Sequence, residues 1–270
     1  MSRRTRQSDG SMPLTEHLRE LRSRIIRSSY AIAAGMVVAW YQYARIFGLL
    51  RRPFDDVVAA SHNRGIVLAL NGVADPFTLQ VQVSAVGGLV LAMPVWLYQL
   101  WRFITPGLHK HERRWALGFV AAAVPLFSIG AWLSYLAMPV GLQVLFGFTP
   151  RGVENIISVD RYMSFFFQML LVFGVGFLAP LVLVVLNLAG LVRGRTMLGW
   201  WRGIVMGSLV FGAFATPTGD PVNMTLLAVP ILVLLFAAIG FAMLNDRRRR
   251  NRGDLLDANE WADDEASPLH

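Results

Sequence analysis

Six stretches of this 270-residue chain carry no Asp, Glu, Lys or Arg: 28–44, 76–101, 115–150, 162–192, 203–219 and 221–245. An ionised side chain at the centre of a bilayer costs at least ~2.5 kcal/mol even on the most lenient insertion scale, so such runs mark where a chain can cross a membrane. A crossing helix needs about 20 mostly apolar residues. With 55% hydrophobic and only 16% charged residues, the chain is also far from the balance of an ordinary soluble domain. The expected fold class is an all-α membrane protein with six transmembrane helices.

The expected spans are roughly 25–44, 76–102, 115–139, 162–189, 200–215 and 222–243, within a membrane domain covering 12–245. The third window has room for two crossings, but Pro125, Pro139 and the turn at Phe148, Thr149 and Pro150 favour one helix ending near Pro139. Thr216 to Pro221 reads as a tight turn, which makes the last two windows a hairpin of short spans. Pro94, Pro125, Pro180 and Pro230 each remove a backbone donor inside a span and are expected to kink it. Gln80, Gln82, Gln99, Gln168 and Asn187 are the polar side chains within spans, and bonding between helices is their expected use.

Orientation follows from the basic residues. Placing the N-terminus in the cytoplasm puts 19 Lys and Arg on the cytoplasmic flanks and 6 on the other side, which predicts both termini inside and fits an even number of spans. Residues 1–11 read as a disordered basic N-terminus, and 246–270, which turn from arginine-rich to acidic, as a disordered cytoplasmic tail. In a soluble protein a net charge of +8 would fit nucleic acid; flanking apolar runs it is a topology signal, and no nucleic-acid partner is expected. The first apolar run lacks a cleavage site and reads as an uncleaved helix, with Arg3 and Arg4 as positive-inside charge.

The absence of Cys excludes thiolate chemistry, and none of the five His lies in an apolar run. No span holds a Ser/His, paired-acid or metal-ligand arrangement, and His109 to Glu112 is a poor metal site without further ligands. Neither an enzyme nor a cofactor is expected. A secondary transporter of a small solute is the rival reading, but such proteins usually place ionisable groups near the midplane, and these windows contain none.

Before the first span, Leu14, Leu18, Leu21 and Ile25 recur at helical spacing, with Thr15 able to cap the start, so an amphipathic helix is expected against the membrane or a neighbour. Glu20 lies on its polar face and can pair with Arg24 at i,i+4. Glu112 sits among His109, Lys110, His111, Arg113 and Arg114, where local charge balance is the plain reading. Apart from Asp9 and the tail, Glu16, Glu20 and Glu112 are the acids of the expected cytoplasmic face. Two carboxylates on an otherwise positive face suit a guanidinium, which can bond both oxygens of each.

HLRELRSR (17–24), PVWLYQLWRFITPGLHKHERR (94–114), DRYMSF (160–165), FGVGFLAPL (173–181) and ATPTGDP (215–221) follow one another at spacings that resemble TatC, the multispanning subunit of the twin-arginine protein translocase. The resemblance covers about residues 12–244. It implies a receptor in the bacterial cytoplasmic (inner) membrane that binds twin-arginine signal peptides of folded cargo. It also implies recruitment of single-span TatA- and TatB-like subunits, self-association in the complex, and transport driven by the proton-motive force.

By the same resemblance Glu20 and Glu112 form the site for the paired arginines, and Arg22, Phe103 and Lys110 match other sensitive positions. Pro53 looks like the family's proline of the first periplasmic loop, where a simple loop turn is the plain reading, and Gln99 and Asp220 are further motif positions. Thr216 and Asn223 are the expected contacts to partner helices. Leu178 stands where relatives commonly carry Glu or Gln, and Asn223 followed by Met224 stands where some have Gln.

Overall fold

The structure, a computed structural model, describes residues 14–60, 65–104, 112–150, 153–215 and 221–260, with side chains for all of these but 14–17, 104, 112–116, 215, 223 and 250–260. The chain divides into two compact units, Met1–Leu171 and Val172–His270.

The first unit holds helices α1 (Leu14–Tyr41), α2 (Tyr43–Ala60), α3 (Asp75–Leu91), α4 (Met93–Ile104) and α5 (Glu112–Gly147), the strands β1 (Ile66–Ala69) and β2 (Asn155–Ser158), and the start of α6 (Val159–Gly176). Its core joins Leu50, Phe54 and Val57 of α2 to Leu79 and Val83 of α3, Met138 and Leu142 of α5, and Tyr162, Met163, Phe166 and Phe167 of α6. These side chains pack against one another in the interior of the unit, where close dispersion contacts hold the helices together.

Small residues set the contact between α1 and α3. A Cβ on Gly88 would lie 2.5 Å from the backbone nitrogen of Met36, and one on Gly35 would lie 2.7 Å from the carbonyl oxygen of Gly88. Where lipid tails compete equally for apolar surface, such close backbone approach is what holds two helices together.

At Ala92 the helix breaks, and α3 and α4 bend by 58°. Pro94 falls in the first turn of α4, so the kink expected there is present as a break between two helices. Pro180 similarly sits in the first turn of α7 (Ala179–Leu188), after the break that ends α6. Pro125, Pro139 and Pro230 instead lie inside continuous helices.

Four expectations need correction. The helix through the third window does not end near Pro139 but continues to Gly147. One proline costs a single backbone bond, whereas ending the helix in an apolar medium would strand several, so the helix persists. Pro53 is not in a loop turn but inside α2, whose buried stripe Leu50, Pro53, Phe54 and Val57 has the i, i+3, i+4, i+7 spacing of a helix packed on one side.

Third, the fold is not purely helical. β1 and β2 pair in parallel with Ile66 opposite Asn155 and Ala69 opposite Ser158. Each strand has four residues, too few for alternation to stand out in a charged loop.

Fourth, the second unit holds the end of α6, α7, α8 (Gly194–Gly199), α9 (Trp201–Ala215) and α10 (Pro221–Glu260), and its last helix is longer than expected. The expected disordered tail begins at Asp246, yet α10 remains helical to Glu260. Extending an existing helix avoids the cost of nucleation, which lets polar sequence stay helical where composition alone points to disorder. The first arm of the expected hairpin is α9, with 15 residues, whereas the charge-free run 221–245 of the second arm lies within α10, which continues helical past it.

Among the described residues, three helical stretches are long and apolar enough to cross a membrane by themselves: Leu117–Gly147, Val159–Leu188 and Met224–Arg249. The bent pair α3 and α4 makes a fourth if taken as one span.

Candidate functional site

Glu20 and Arg22 of α1, Phe103 of α4 and the first residue of α5 lie toward one end of the first unit. α1 and α3 touch at Gly35 and Gly88 and again at Trp40 and Phe77, whose rings lie 6.3 Å apart, so the two helices run antiparallel. Beyond Leu91 the chain continues as α4, which packs against α1, and this brings Phe103 toward the N-terminal half of α1 that carries Glu20 and Arg22. α5 then returns beside α4. Trp101 stacks on Phe119 at 4.0 Å with 12° between the rings, and Trp96 meets Phe127 edge-on at 6.2 Å.

That antiparallel register puts Glu112, the first residue of α5, beyond the level of Trp101 and at the same end as Phe103. Seven residues separate Glu112 from Phe119, about 10 Å along a helix axis. The Glu112 side chain and all of Lys110 lie outside the described residues.

Glu20 is half-buried and paired within α1. Arg24 Nε donates to Glu20 Oε1 at 3.1 Å, and an Arg24 NH2 group donates to the same oxygen. The plain reading of Glu20 as an i,i+4 partner is therefore present in the fold. Both bonds converge on Oε1, which leaves Oε2 without a partner among the described residues. Arg24 is buried, whereas Leu18 and Ile25 of the apolar stripe are 61% and 56% exposed. Such an arrangement suits lipid outside and protein inside, with the buried guanidinium neutralised by its own helix.

Arg22 is exposed and Phe103 half-buried. Gln99, one helical turn before Phe103, has its Oε1 buried with no hydrogen-bond partner among the described residues. An orphaned acceptor in an apolar setting is costly and is satisfied when a donor arrives.

Thr216 and Asp220 lie outside the described residues, as does the side chain of Asn223 in the first turn of α10. Leu178 is half-buried at the break between α6 and α7. Of the polar side chains expected to bond between helices, Gln82 donates to Ser164 Oγ at 2.9 Å. Asn187 does so more extensively, donating to Asp246 Oδ1 at 2.9 Å and accepting from Asn245 Nδ2 at 2.9 Å.

Asp246 is the residue that sequence reasoning missed, because it was grouped with the tail. Its second oxygen accepts the backbone N–H of Gly194 at 2.7 Å, so a side chain of α10 caps the start of α8. Gly194 has to be glycine here, since a Cβ would lie 2.7 Å from the Met243 nitrogen. The continuous apolar run ending at an Asp was the available signal: a carboxylate at the end of a span is expensive unless bonded.

Comparison with known proteins bears on the whole chain. Residues 16–230 match the family model described as TatC, Sec-independent protein translocase protein. The TatC protein of Frankia casuarinae is 42% identical over 275 residues, covering 99% of this chain and 76% of the relative. That of Xylanimonas cellulosilytica is 42% identical, with 89% and 87% covered, and that of Aquifex aeolicus 34% identical, with 88% and 98% covered. A crystal structure of the twin-arginine translocase receptor TatC superposes with a TM-score of 0.70 at 32% identity, covering 84% of this chain and 98% of the other. A protein translocase family does not favour the solute-transporter reading. The chain belongs to the TatC family of Sec-independent protein translocase proteins.

Proposed function

We propose that this protein is the signal-peptide receptor of a twin-arginine translocase, and that Glu20 and Glu112 receive the paired arginines of the signal peptide. The observation that carries the reading is Glu20 itself: a half-buried carboxylate with one oxygen open, at the end of the first unit where Phe103 and the start of α5 also lie. Apart from Asp9 and the acidic tail, Glu16, Glu20 and Glu112 are the carboxylates on that side in the proposed topology, so an incoming guanidinium has few other partners beside them. Arg22 and Lys110 are the proposed cationic residues of the site, Lys110 from its place two positions before Glu112 in the sequence, and Gln99, one turn before Phe103, offers a buried acceptor.

In this reading the chain crosses the bacterial inner membrane six times, through α1, the α3 and α4 pair, α5, α6 with α7, α9 and α10, with both termini in the cytoplasm. The 19 to 6 division of basic residues supports the orientation. α1 carries Arg24 and Arg27 near the interface, where one is neutralised by Glu20 and the other can extend to the headgroups. α9, with 15 residues, spans about 22 Å and requires a locally thinned bilayer or a partner beside it. Thr216 and Asn223, next to this short helix, are the proposed contacts for single-span TatA- and TatB-like subunits, and transport draws on the proton-motive force.

Photocrosslinking of a twin-arginine peptide to the purified protein tests the reading. Adducts on α1 near Glu20 and on the start of α5 are expected, with none for a peptide bearing two glutamines in place of its arginines. Equal crosslinking of the two peptides would count against it.

A further inference from the structure

One end of the second unit is crowded with arginine. Arg193 and Arg195 flank the start of α8, Arg202 lies on α9, and Arg247, Arg248 and Arg249 continue α10 past its apolar run; all six are exposed. The elements are held together there, since Gly194 packs on the α10 backbone at Ala242 and Met243 and Arg249 donates to the Leu188 carbonyl at 2.7 Å. Asp246 is the carboxylate among them, and both its oxygens are taken by the Asn187 amide and the Gly194 N–H. None of the six guanidinium groups has an ion-pair partner among the described residues. Like charges so close repel one another, and an anionic ligand relieves that repulsion.

The depth of the cluster identifies the anion. On α10, Phe241 is 47% exposed and Leu244 57% exposed, and Arg248 follows at i+7 and i+4 on the same face. That face passes from apolar to cationic within one turn, as the bilayer passes from acyl chain to headgroup. Trp200 and Trp201, also half exposed, lie at the same end, and Arg202 stands over the Trp201 ring at 5.4 Å. Tryptophan favours the headgroup level.

We infer that this arginine cluster binds the phosphate headgroups of anionic phospholipids. Guanidinium suits the task because its planar donors bond phosphate oxygens in pairs. Each arginine at an anionic surface contributes about fivefold to the affinity, so removing several should be plainly visible.

The test is native mass spectrometry of the delipidated full chain with phosphatidylglycerol and phosphatidylcholine of matched acyl chains. Wild type should retain phosphatidylglycerol preferentially. Arg193→Gln, Arg195→Gln, Arg247→Gln and Arg248→Gln together should reduce that retention by more than tenfold, and the corresponding lysine variant should keep most of it. Arg45→Gln with Arg52→Gln, which removes exposed charge from α2, should leave retention unchanged. If the fourfold variant proves unstable in detergent, Arg247→Gln with Arg248→Gln carries the same expectation on a smaller scale. Undiminished lipid preference in the glutamine variants, or an equal loss in the α2 control, would overturn the inference.

Discussion

Tyr135 donates its hydroxyl to the carbonyl of Leu49 at 3.4 Å, the carbonyl to which Pro53, lacking an N–H, cannot donate from one turn further along α2. Tyr162 reinforces the arrangement by donating to the next carbonyl, Leu50, at 2.7 Å. The proline thus exposes acceptors that two helices of the same unit fill. Tyr135→Phe should cost about 1 kcal/mol in the wild-type background and much less with Pro53→Ala, where the helix can satisfy Leu49 itself. Thermal unfolding of the four proteins in one detergent checks this, and equal costs in both backgrounds would show that the tyrosine and the proline act independently.

The crossing of α1 and α3 gives a second expectation. Gly88→Ala sets a methyl group 2.5 Å from the Met36 nitrogen, with backbone rather than a flexible side chain in the way. A loss of roughly 1 to 3 kcal/mol should follow. Gly118→Ala, where nothing lies within 4 Å, should be neutral or slightly stabilising. Unfolding midpoints that fall equally for both variants would contradict the close approach.

Asp246 should be structural rather than a spectator in a tail. Asp246→Ala removes the acceptor of both the Gly194 N–H and the Asn187 amide, and should cost roughly 2 to 4 kcal/mol. Asp246→Asn keeps one acceptor oxygen and should lose less. Hydrogen exchange at Gly194 reports the cap directly: exchange unchanged in Asp246→Ala would mean the bond is not formed in solution.

Much of this fold was legible because its strongest determinant, charge, is written plainly along the chain. The apolar windows correspond to helices, and the breaks at Pro94 and Pro180 fall where missing donors put them. What escaped notice depends on neighbours distant in sequence. Pro53 sits in a helix because Tyr135 and Tyr162 complete its bonding, and those partners are 82 or more positions away from it. Asp246 belongs to the fold because Gly194 and Asn187 come to it, and the strands exist because β1 and β2 meet across three helices. At the candidate site, the Glu20 and Arg24 pair could be read from spacing, whereas the unfilled Glu20 Oε2 and Gln99 Oε1 could be seen only in three dimensions.

Topology can be tested on a chain that has no cysteine of its own. Single cysteines at Gly10, Arg195 and Leu255 should resist a membrane-impermeant reagent added from outside, and those at Ala60 and Gly152 should react. Labelling of Arg195→Cys from the periplasm would reverse the orientation assigned to the second unit.

The central claim is that Glu20 and Glu112 together receive the arginines of a signal peptide. A charge-assisted hydrogen bond contributes about 1.5 to 3 kcal/mol, so loss of either carboxylate should weaken binding roughly 10- to 150-fold. If Glu20 served only Arg24, Glu20→Gln would lower helix stability by a few tenths of a kcal/mol and leave the ligand indifferent. The direct measurement is the affinity of a twin-arginine peptide for wild type, Glu20→Gln and Glu112→Gln at one ionic strength. Losses of at least about tenfold in both variants are expected, with a weaker dependence on salt, and equal affinity in all three proteins would contradict the assignment.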